Sequence, residues 1–216
     1  MPSLVSISIA VAAIGIALYA YAVSPEPSKL AVRPSPLLDS ILQEHRAVIG
    51  EDMTAYRNHC LRVYHLAVVA SQRRSPLSGE KFERRDEILQ IATAFHDTGL
   101  WTDDTVAYLA PSEKRAAAWL KSHGRSSDIP LITALIEEHH KVTEYTGPFA
   151  PLVKDFLQAD WSDVALGLAA FGNITRGDVR AMQLAFPNAG FHARLMRFGV
   201  QQLFRDPLHP LPMFKL

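Results

Sequence analysis

The sequence predicts an all-α fold, a helical bundle of about seven or eight helices preceded by an N-terminal apolar helix. Apolar residues recur at helical rather than alternating spacing along most of the chain, as in Val63, Leu66 and Ala67. No β-hairpin signal and no internal repeat interrupts this pattern. With 216 residues, of which 48% are hydrophobic, the chain is long enough to bury one sizeable core. We therefore expect a single helical domain.

A membrane anchor or a signal segment is predicted for residues 1–24. Residues 4–23 contain no charge, and about 20 apolar residues allow a helix to cross a bilayer. No Lys or Arg precedes this run, which favours an anchor, whereas Ala20-Tyr21-Ala22 has the form of a signal-cleavage site and would give a secreted or periplasmic protein. The first basic residues, Lys29 and Arg33, follow the run. The anchor interpretation therefore predicts a single-pass protein whose domain faces the cytoplasm.

Prolines and helical periodicity divide the rest of the chain. Residues 25–36 are rich in proline and predict an extended linker, residues 37–206 predict a helical domain, and residues 207–216 predict an irregular tail. The predicted helices span residues 37–48, 52–71, 85–95, 113–124, 129–141, 151–168, 176–186 and 191–205. Ser112 is the expected N-cap of the fourth helix, and Gly124 is its expected C-terminal stop.

Charge and cysteine content narrow the classes of function. The chain has 22 Lys plus Arg and 22 Asp plus Glu, so its formal net charge is zero. A neutral chain lacks the basic surface that binds a phosphate backbone, which argues against a nucleic-acid polymer as partner. One cysteine, Cys60, excludes an intrachain disulfide framework and a zinc site built from thiolates. A metal site would therefore need histidine and carboxylate ligands, and nine histidines are available.

Several potential metal ligands lie within or at the ends of the predicted apolar helices. They are His59, His96, Asp97, His139, His140 and Asp160. Burial of an unpaired imidazole or carboxylate is unfavourable, and coordination of a cation is one way to offset that cost. A hydrogen bond to the backbone is the alternative for any one histidine taken alone. The ordered combination of these residues favours a metal site.

This order of residues resembles the HD-domain superfamily of metal-dependent phosphohydrolases, whose pattern is a His, an adjacent His-Asp pair and a distant Asp on an all-α fold. His59 stands in an Asn-His-x-x-Arg-Val setting, and His96 and Asp97 begin a His-Asp-Thr-Gly-Leu turn. Asp160, in Gln-Ala-Asp-Trp-Ser-Asp, supplies the last carboxylate. The resemblance covers about residues 37–170.

The resemblance implies that His59, His96, Asp97 and Asp160 bind one divalent ion. Imidazole and carboxylate ligands suit zinc, manganese, iron or nickel, and four ligands on an ion that accepts six leave positions for water and substrate. Such an ion would lower the pKa of bound water and polarise a phosphoryl oxygen, and Asp97 could both ligate the ion and orient that water. We therefore expect hydrolysis of a phosphoester, with a nucleotide as one candidate substrate.

The adjacent pair His139 and His140 is harder to place, because neighbouring helix residues point about 100° apart. One of them is expected to face the pocket and to donate a proton to the leaving group. In two-metal HD relatives, such as the cyclic-di-GMP phosphodiesterases, extra histidines hold a second ion, and here His123 or Glu113 would be a further ligand. A C-terminal helix cap is the alternative for His123. The Gly-Tyr-Pro signature of those relatives is absent after His140, which disfavours cyclic-di-GMP.

Three further charged residues have candidate roles near the site: Arg62, Lys141 and Asp163. Arg62, three positions after His59, predicts either a contact with an anionic substrate or an ion pair with a carboxylate. Lys141 predicts either a contact with a phosphate or a solvent-exposed side chain. Asp163, three positions after Asp160, predicts a hydrogen-bond acceptor that holds a metal-binding histidine.

Two other branches of the HD superfamily, and one class of protein without enzymatic activity, are alternatives to a phosphohydrolase. The cyanamide-hydratase-like HD proteins share the small size and the setting of the motifs, and add water to a nitrile. The di-iron HD oxygenases would require additional histidine ligands. The contrasting class is an HD sensor or scaffold at the membrane without enzymatic activity, against which the intact ligand set argues. The expected partners are a small, phosphorylated substrate and, through the N-terminal segment, a membrane.

Overall fold

The computed structural model describes residues 25–208 and 212–214. These residues form α-helices joined by turns and loops and contain no β-strand, which confirms the predicted all-α class. The helices are α1 (Pro36–Glu44), α2 (Arg46–Ile49), α3 (Met53–Arg74), α4 (Gly79–Phe95), α5 (Gly99–Thr102), α6 (Leu109–Ser122), α7 (Ile129–Glu138), α8 (Ala150–Val164), α9 (Arg176–Ala185) and α10 (Phe191–Arg205). Short 3-10 turns, Gly50–Asp52 and Ser126–Asp128, precede α3 and α7.

Helix α3 lies at the centre and contacts α4, α8, α9 and α10. Its side chains are buried on several faces, with Tyr56, Val63 and Leu66 completely inaccessible to solvent. A helix that is apolar around most of its circumference belongs in the interior of a bundle. Because α8 packs along α3, polar residues on the contacting faces of the two helices are also removed from solvent. This packing buries His59 and Asp160.

Two helix starts differ from the sequence prediction. Helix α4 begins at Gly79 rather than at residue 85. The Ser/Gly-containing stretch suggested a loop, but Phe82 packs against the core within the helix. Helix α6 begins at Leu109, so Ser112 lies inside it and is not its N-cap. Instead, the buried Ser112 hydroxyl accepts a hydrogen bond from the Gly99 backbone N–H at 2.9 Å. Tertiary contacts override local preference at both positions.

Two helix ends are also earlier than predicted. Helix α7 ends at Glu138 instead of residue 141, and the His139 carbonyl accepts a hydrogen bond from the Trp161 indole N–H at 3.0 Å instead of continuing the helix. Helix α8 ends at Val164 instead of residue 168, because Leu166 and Gly167 follow in left-handed conformations. Such residues commonly end helices.

Residues 25–35 form no helix and lie against the bundle. The Ser28 N–H donates to the Gly177 carbonyl at 2.9 Å, and the Arg33 N–H donates to His65 Nε2 at 3.0 Å. His65 Nδ1 donates in turn to the Leu61 carbonyl at 2.6 Å. The His65 ring is therefore held as a neutral structural residue, in keeping with a pKa that burial lowers.

The prediction of a single-pass membrane protein is corrected. Among residues 25–208 and 212–214, no helix is long and apolar enough to cross a membrane. The apolar run at residues 4–23, on which the anchor and the membrane partner were predicted, lies outside the described residues.

Candidate metal centre

The packing brings the four predicted ligands together. His59 comes from the N-terminal half of α3, His96 and Asp97 from the turn that follows α4, and Asp160 from α8. All four are at most 4% exposed. His59 Nε2 lies 3.0 Å from His96 Nε2 and 3.5 Å from Asp160 Oδ1, and His96 Nε2 lies 3.3 Å from Asp97 Oδ2. The ligand atoms therefore converge on one small volume.

His59, His96 and His139 each have their second ring nitrogen held by an acceptor. His59 Nδ1 donates to Asp163 Oδ2 at 2.8 Å, His96 Nδ1 to the Thr93 carbonyl at 2.7 Å, and His139 Nδ1 to the Ile136 carbonyl at 2.6 Å. These acceptors carry no proton to donate, so each Nδ1 must be the protonated nitrogen. The three Nε2 atoms therefore face the centre of the cluster, as in metal-binding histidines.

With this orientation of the histidines, the centre of the cluster is stable only if it holds a positive charge. With their Nδ1 atoms donating outwards, neutral His59 and His96 would face each other with two lone pairs 3.0 Å apart. His139 Nε2 likewise faces Asp97 Oδ1 at 3.4 Å. Two acceptors repel at such distances unless a proton or a metal ion lies between them. Two nitrogens bound to one ion at about 2.1 Å would also stand about 3 Å apart, so the geometry fits a metal.

Unpartnered atoms point to the same conclusion. Asp97 Oδ1, Asp160 Oδ2 and His139 Nε2 are buried and have no hydrogen-bond partner among the residues that the structure describes. Buried polar atoms are almost always hydrogen-bonded, so three orphans in one cluster call for a ligand. The buried histidines and aspartates could hold a metal ion.

The electrostatics of the cluster favour a cation. Burial alone would lower the pKa of His96, but the carboxylates of Asp97 and Asp160 outweigh burial and raise it to about 10. Burial would raise the pKa of Asp97, but His96 and the other neighbouring histidines hold it well below its ordinary value. The carboxylates thus keep a proton on an imidazole in the interior. A metal ion can take the place of that proton, because metal ligands bind in their deprotonated forms.

Both His139 and His140 belong to the cluster, whereas the sequence predicted that one of them faces it. His139, His140 and Asp160 offer ligand atoms within 4.8 Å of one another, and His96, Asp97 and His139 do the same. Because α7 ends at Glu138, the two histidines occupy a turn rather than successive positions of a regular helix. Their side chains are therefore not held about 100° apart as in a regular helix.

Tyr108 is a residue of the site that the sequence did not indicate. Its buried hydroxyl is hydrogen-bonded to His140 Nε2 at 2.5 Å. Burial and the charge of His139 lower the pKa of His140 to about 3, so His140 is neutral at physiological pH. A Cβ on Gly99 would stand 2.5 Å from the Tyr108 carbonyl oxygen. The glycine after the His-Asp pair thus signals a close backbone approach, but the sequence does not tell which residue approaches.

Arg62 forms the ion pair that was one of its two predicted roles. It is 1% exposed, and its Nε and Nη2 contact Asp163 Oδ1 and Oδ2 at 2.5 and 2.8 Å. Burial would raise the pKa of Asp163, but His59 and Arg62 lower it to about 2. Asp163 therefore remains a carboxylate that orients His59. Lys141 Nζ lies 3.9 Å from Glu138 Oε2, one turn back along the chain.

The further ligands suggested for a second ion lie elsewhere. The His123 ring stacks on Trp119 with a centroid distance of 3.9 Å, and His123 Nδ1 donates to the Trp119 carbonyl at 2.8 Å. His123 is therefore the C-cap of α6, as its alternative interpretation predicted. Within the described part of the chain, neither His123 nor Glu113 joins a group of potential metal ligands.

A pocket of about 250 Å³ opens next to the cluster. His140 and Asp160 form its polar end. Trp161, Phe171 and Phe214 contribute aromatic walls, completed by aliphatic side chains. The pocket therefore connects the candidate metal centre with a mostly apolar space.

Fold and cluster together define an all-α protein with a buried centre of histidines and aspartates that could hold a metal ion. Comparisons of the chain with protein-family models, with curated proteins and with solved structures found no match.

Proposed function

We propose that the protein is a metal-dependent hydrolase of the HD type that cleaves a phosphoester. The observation that carries the proposal is the facing pair of His59 Nε2 and His96 Nε2 at 3.0 Å, each with its Nδ1 already donating. The carboxylates of Asp97 and Asp160 complete a donor set suited to zinc, manganese, iron or nickel. The all-α scaffold and the order of these residues along the chain support the HD assignment.

His59, His96, Asp97 and Asp160 would hold a divalent ion, which would lower the pKa of bound water and polarise a phosphoryl oxygen. The protein orients the ligands through Asp163 and through backbone carbonyls. Asp97 Oδ2 faces the two histidines, while Asp97 Oδ1 lacks a hydrogen-bond partner among the described residues. Oδ1, which lies 3.4 Å from His139 Nε2, would accept the proton of the attacking water.

Tyr108 and His140 serve the opposite end of the reaction in this proposal. The water oxygen bonds to phosphorus, the bond from phosphorus to the leaving oxygen breaks, and that oxygen takes up a proton. His140 lines the pocket, so its neutral ring would give an N–H proton to the leaving oxygen and take the Tyr108 hydroxyl proton through the hydrogen bond at Nε2. Because the pKa of His140 is low, its ring is neutral and not an imidazolium. The transferable proton therefore belongs to the hydrogen-bonded pair of Tyr108 and His140.

The cluster also offers ligands beyond those that one ion needs. His139, His140 and Asp160 form a second group of three, and Asp97 directs Oδ1 towards His139. The proposal requires one ion per chain, and this second group would accommodate another. Two ions would neutralise a phosphoester dianion more fully than one.

A second candidate function is the addition of water to a small nitrile-like molecule. The observation that favours it is the lack of positively charged side chains in the pocket, since no Lys or Arg is among the described residues that line it. A neutral substrate needs no positively charged side chain to bind it. Activity on cyanamide and benzonitrile, measured beside phenyl phosphate and nucleotides, separates the two candidates.

The test of the proposal is elemental analysis and phosphoesterase activity of the full chain, purified without chelator or affinity metal. We expect one or two ions per chain, and we expect His96→Ala and Asp97→Asn to lose metal and activity together with unchanged helix content. His123→Gln is the control, since His123 caps α6 outside the cluster. No metal after incubation with zinc, manganese, iron and nickel would refute the proposal and favour a sensor or scaffold. Two irons with oxygenase activity would replace it by the oxygenase branch.

A further inference from the structure

We infer that the substrate carries a small apolar group, of about the size of a phenyl ring, that occupies the pocket beside His140 and Asp160. The inference rests on the proposed function, because the reacting group would lie at the polar end where these two residues meet the metal ligands. It excludes a nucleoside as the group bound in this pocket.

The walls of the pocket offer no partner for a polar substrate group. Beyond His140 and Asp160, the described lining residues have apolar side chains, except for the indole N–H of Trp161. That N–H already donates to the His139 carbonyl at 3.0 Å. The hydroxyls of a ribose or the edges of a base would lose their hydrogen bonds to water on entering and find none here. An apolar group loses nothing on entering and is released from water.

The three aromatic lining residues, Trp161, Phe171 and Phe214, form an aromatic box at the pocket. Phe171 and Phe214 stand nearly perpendicular to the Trp161 indole, at centroid distances of 6.0 and 6.1 Å and angles of 88° and 85°. Phe214 also lies 5.3 Å from the His140 ring. Aromatic rings attract one another in edge-to-face and stacked arrangements at these distances. The box therefore offers ring faces and edges to a planar apolar ligand.

Hydrogen bonds hold two of the three aromatic walls, Trp161 and Phe171, in place. The Phe171 N–H donates to the Ser162 hydroxyl at 3.0 Å, and that hydroxyl donates to the Gln158 carbonyl at 2.6 Å. These bonds tie the chain after α8 back onto α8 itself. The indole of Trp161 is held by its bond to His139. The pocket volume of about 250 Å³ suits a small group, because pockets for larger organic ligands range from about 300 to 1,000 Å³.

The test compares two phosphonates that differ only in the apolar group. Benzylphosphonate and methylphosphonate have the same phosphonate group and no phosphoester bond, so binding can be measured by calorimetry without turnover. We expect the zinc-loaded full chain to bind benzylphosphonate at least tenfold more tightly than methylphosphonate. We expect phenyl phosphate to be hydrolysed with a higher kcat/KM than nucleoside monophosphates.

A substitution in the wall shows whether the preference comes from this pocket. Ala165 lines the pocket in the turn after α8 and is partly exposed, so Ala165→Leu reduces the volume with little risk to folding. We expect it to abolish the tenfold preference while methylphosphonate binding remains unchanged. Ala118→Leu, at an exposed position of α6, is the matched control and should retain the preference.

The outcomes separate this inference from the proposed function. Metal-dependent binding of methylphosphonate without any gain from the benzyl group would overturn the inference and leave the hydrolase proposal standing. The same holds if Ala165→Leu leaves the preference intact. If neither phosphonate binds the metal-loaded protein, the phosphoester function fails, and the inference that rests on it fails as well.

Discussion

His59 Nδ1 lies 2.8 Å from Asp163 Oδ2, and Arg62 contacts both oxygens of the same carboxylate. The carboxylate is therefore shared between an arginine that fixes its position and a histidine that it orients. All three residues are at most 1% exposed. The direction in which His59 presents Nε2 thus depends on a chain of contacts between α3 and α8.

Asp163→Asn should weaken metal binding by about 10- to 100-fold, because an amide orients the imidazole less strongly and leaves Arg62 without its negative partner. Metal affinity is measured by competition with a chromogenic chelator. Asp155→Asn is a matched control: Asp155 is also a buried aspartate of α8 that pairs with an arginine of α3, Arg74, at 2.8 Å. Equal losses of affinity in both variants would show that the effect is general destabilisation rather than orientation of His59.

Tyr108→Phe should lower kcat by at least about tenfold while the metal content stays the same, because the hydroxyl bonded to His140 Nε2 is removed. Steady-state kinetics and elemental analysis on the same preparation check this. Tyr64→Phe is the control, since the Tyr64 hydroxyl donates to Asp86 at 2.6 Å outside the cluster. An unchanged kcat in Tyr108→Phe would remove Tyr108 from the mechanism.

Gly99→Ala should destabilise the fold by roughly 1–3 kcal/mol, because its Cβ would meet the Tyr108 carbonyl oxygen at 2.5 Å and the backbone must move. Urea denaturation followed by circular dichroism measures the free energy of unfolding. Gly199→Ala in α10 is the contrasting variant, with no atom within 4 Å of the added Cβ, and should be neutral or stabilising by up to about 1 kcal/mol. Similar free energies for the two variants would contradict the close approach at Gly99.

Stability should fall in acid partly through Asp178. Burial alone would raise the pKa of Asp178, but Arg73 and the N-terminal cap of α9 at Thr175 lower it to about 2. Because the folded pKa lies below the unfolded value of 3.8, the contribution to stability is complete above about pH 4 and is lost as the pH falls towards 2. Asp178→Asn should therefore cost roughly 2 kcal/mol at pH 7 and much less at pH 2. Urea denaturation over this pH range tests it, and a constant difference would disprove it.

Local pattern was sufficient for most of the secondary structure. The helical spacing of apolar residues predicted α9 and α10 to within one residue at each end, because amphipathic periodicity depends on neighbours three or four positions apart. The same periodicity did not predict the end of α7, where the His139 carbonyl accepts a hydrogen bond from the Trp161 indole N–H. A contact between two different helices has no signature within either of them.

The sequence by itself determined the all-α class and the candidate ligands His59, His96, Asp97 and Asp160, because helical periodicity and the order of side chains are properties of the chain alone. Only the tertiary structure decided how these ligands meet, with ring nitrogens 3.0 Å apart, and which neighbours support them. It also brought His140 and Tyr108 into contact and formed an apolar pocket beside the cluster. The physical reason is that such distances arise from the packing of helices far apart in the chain, and packing is decided by all their side chains together.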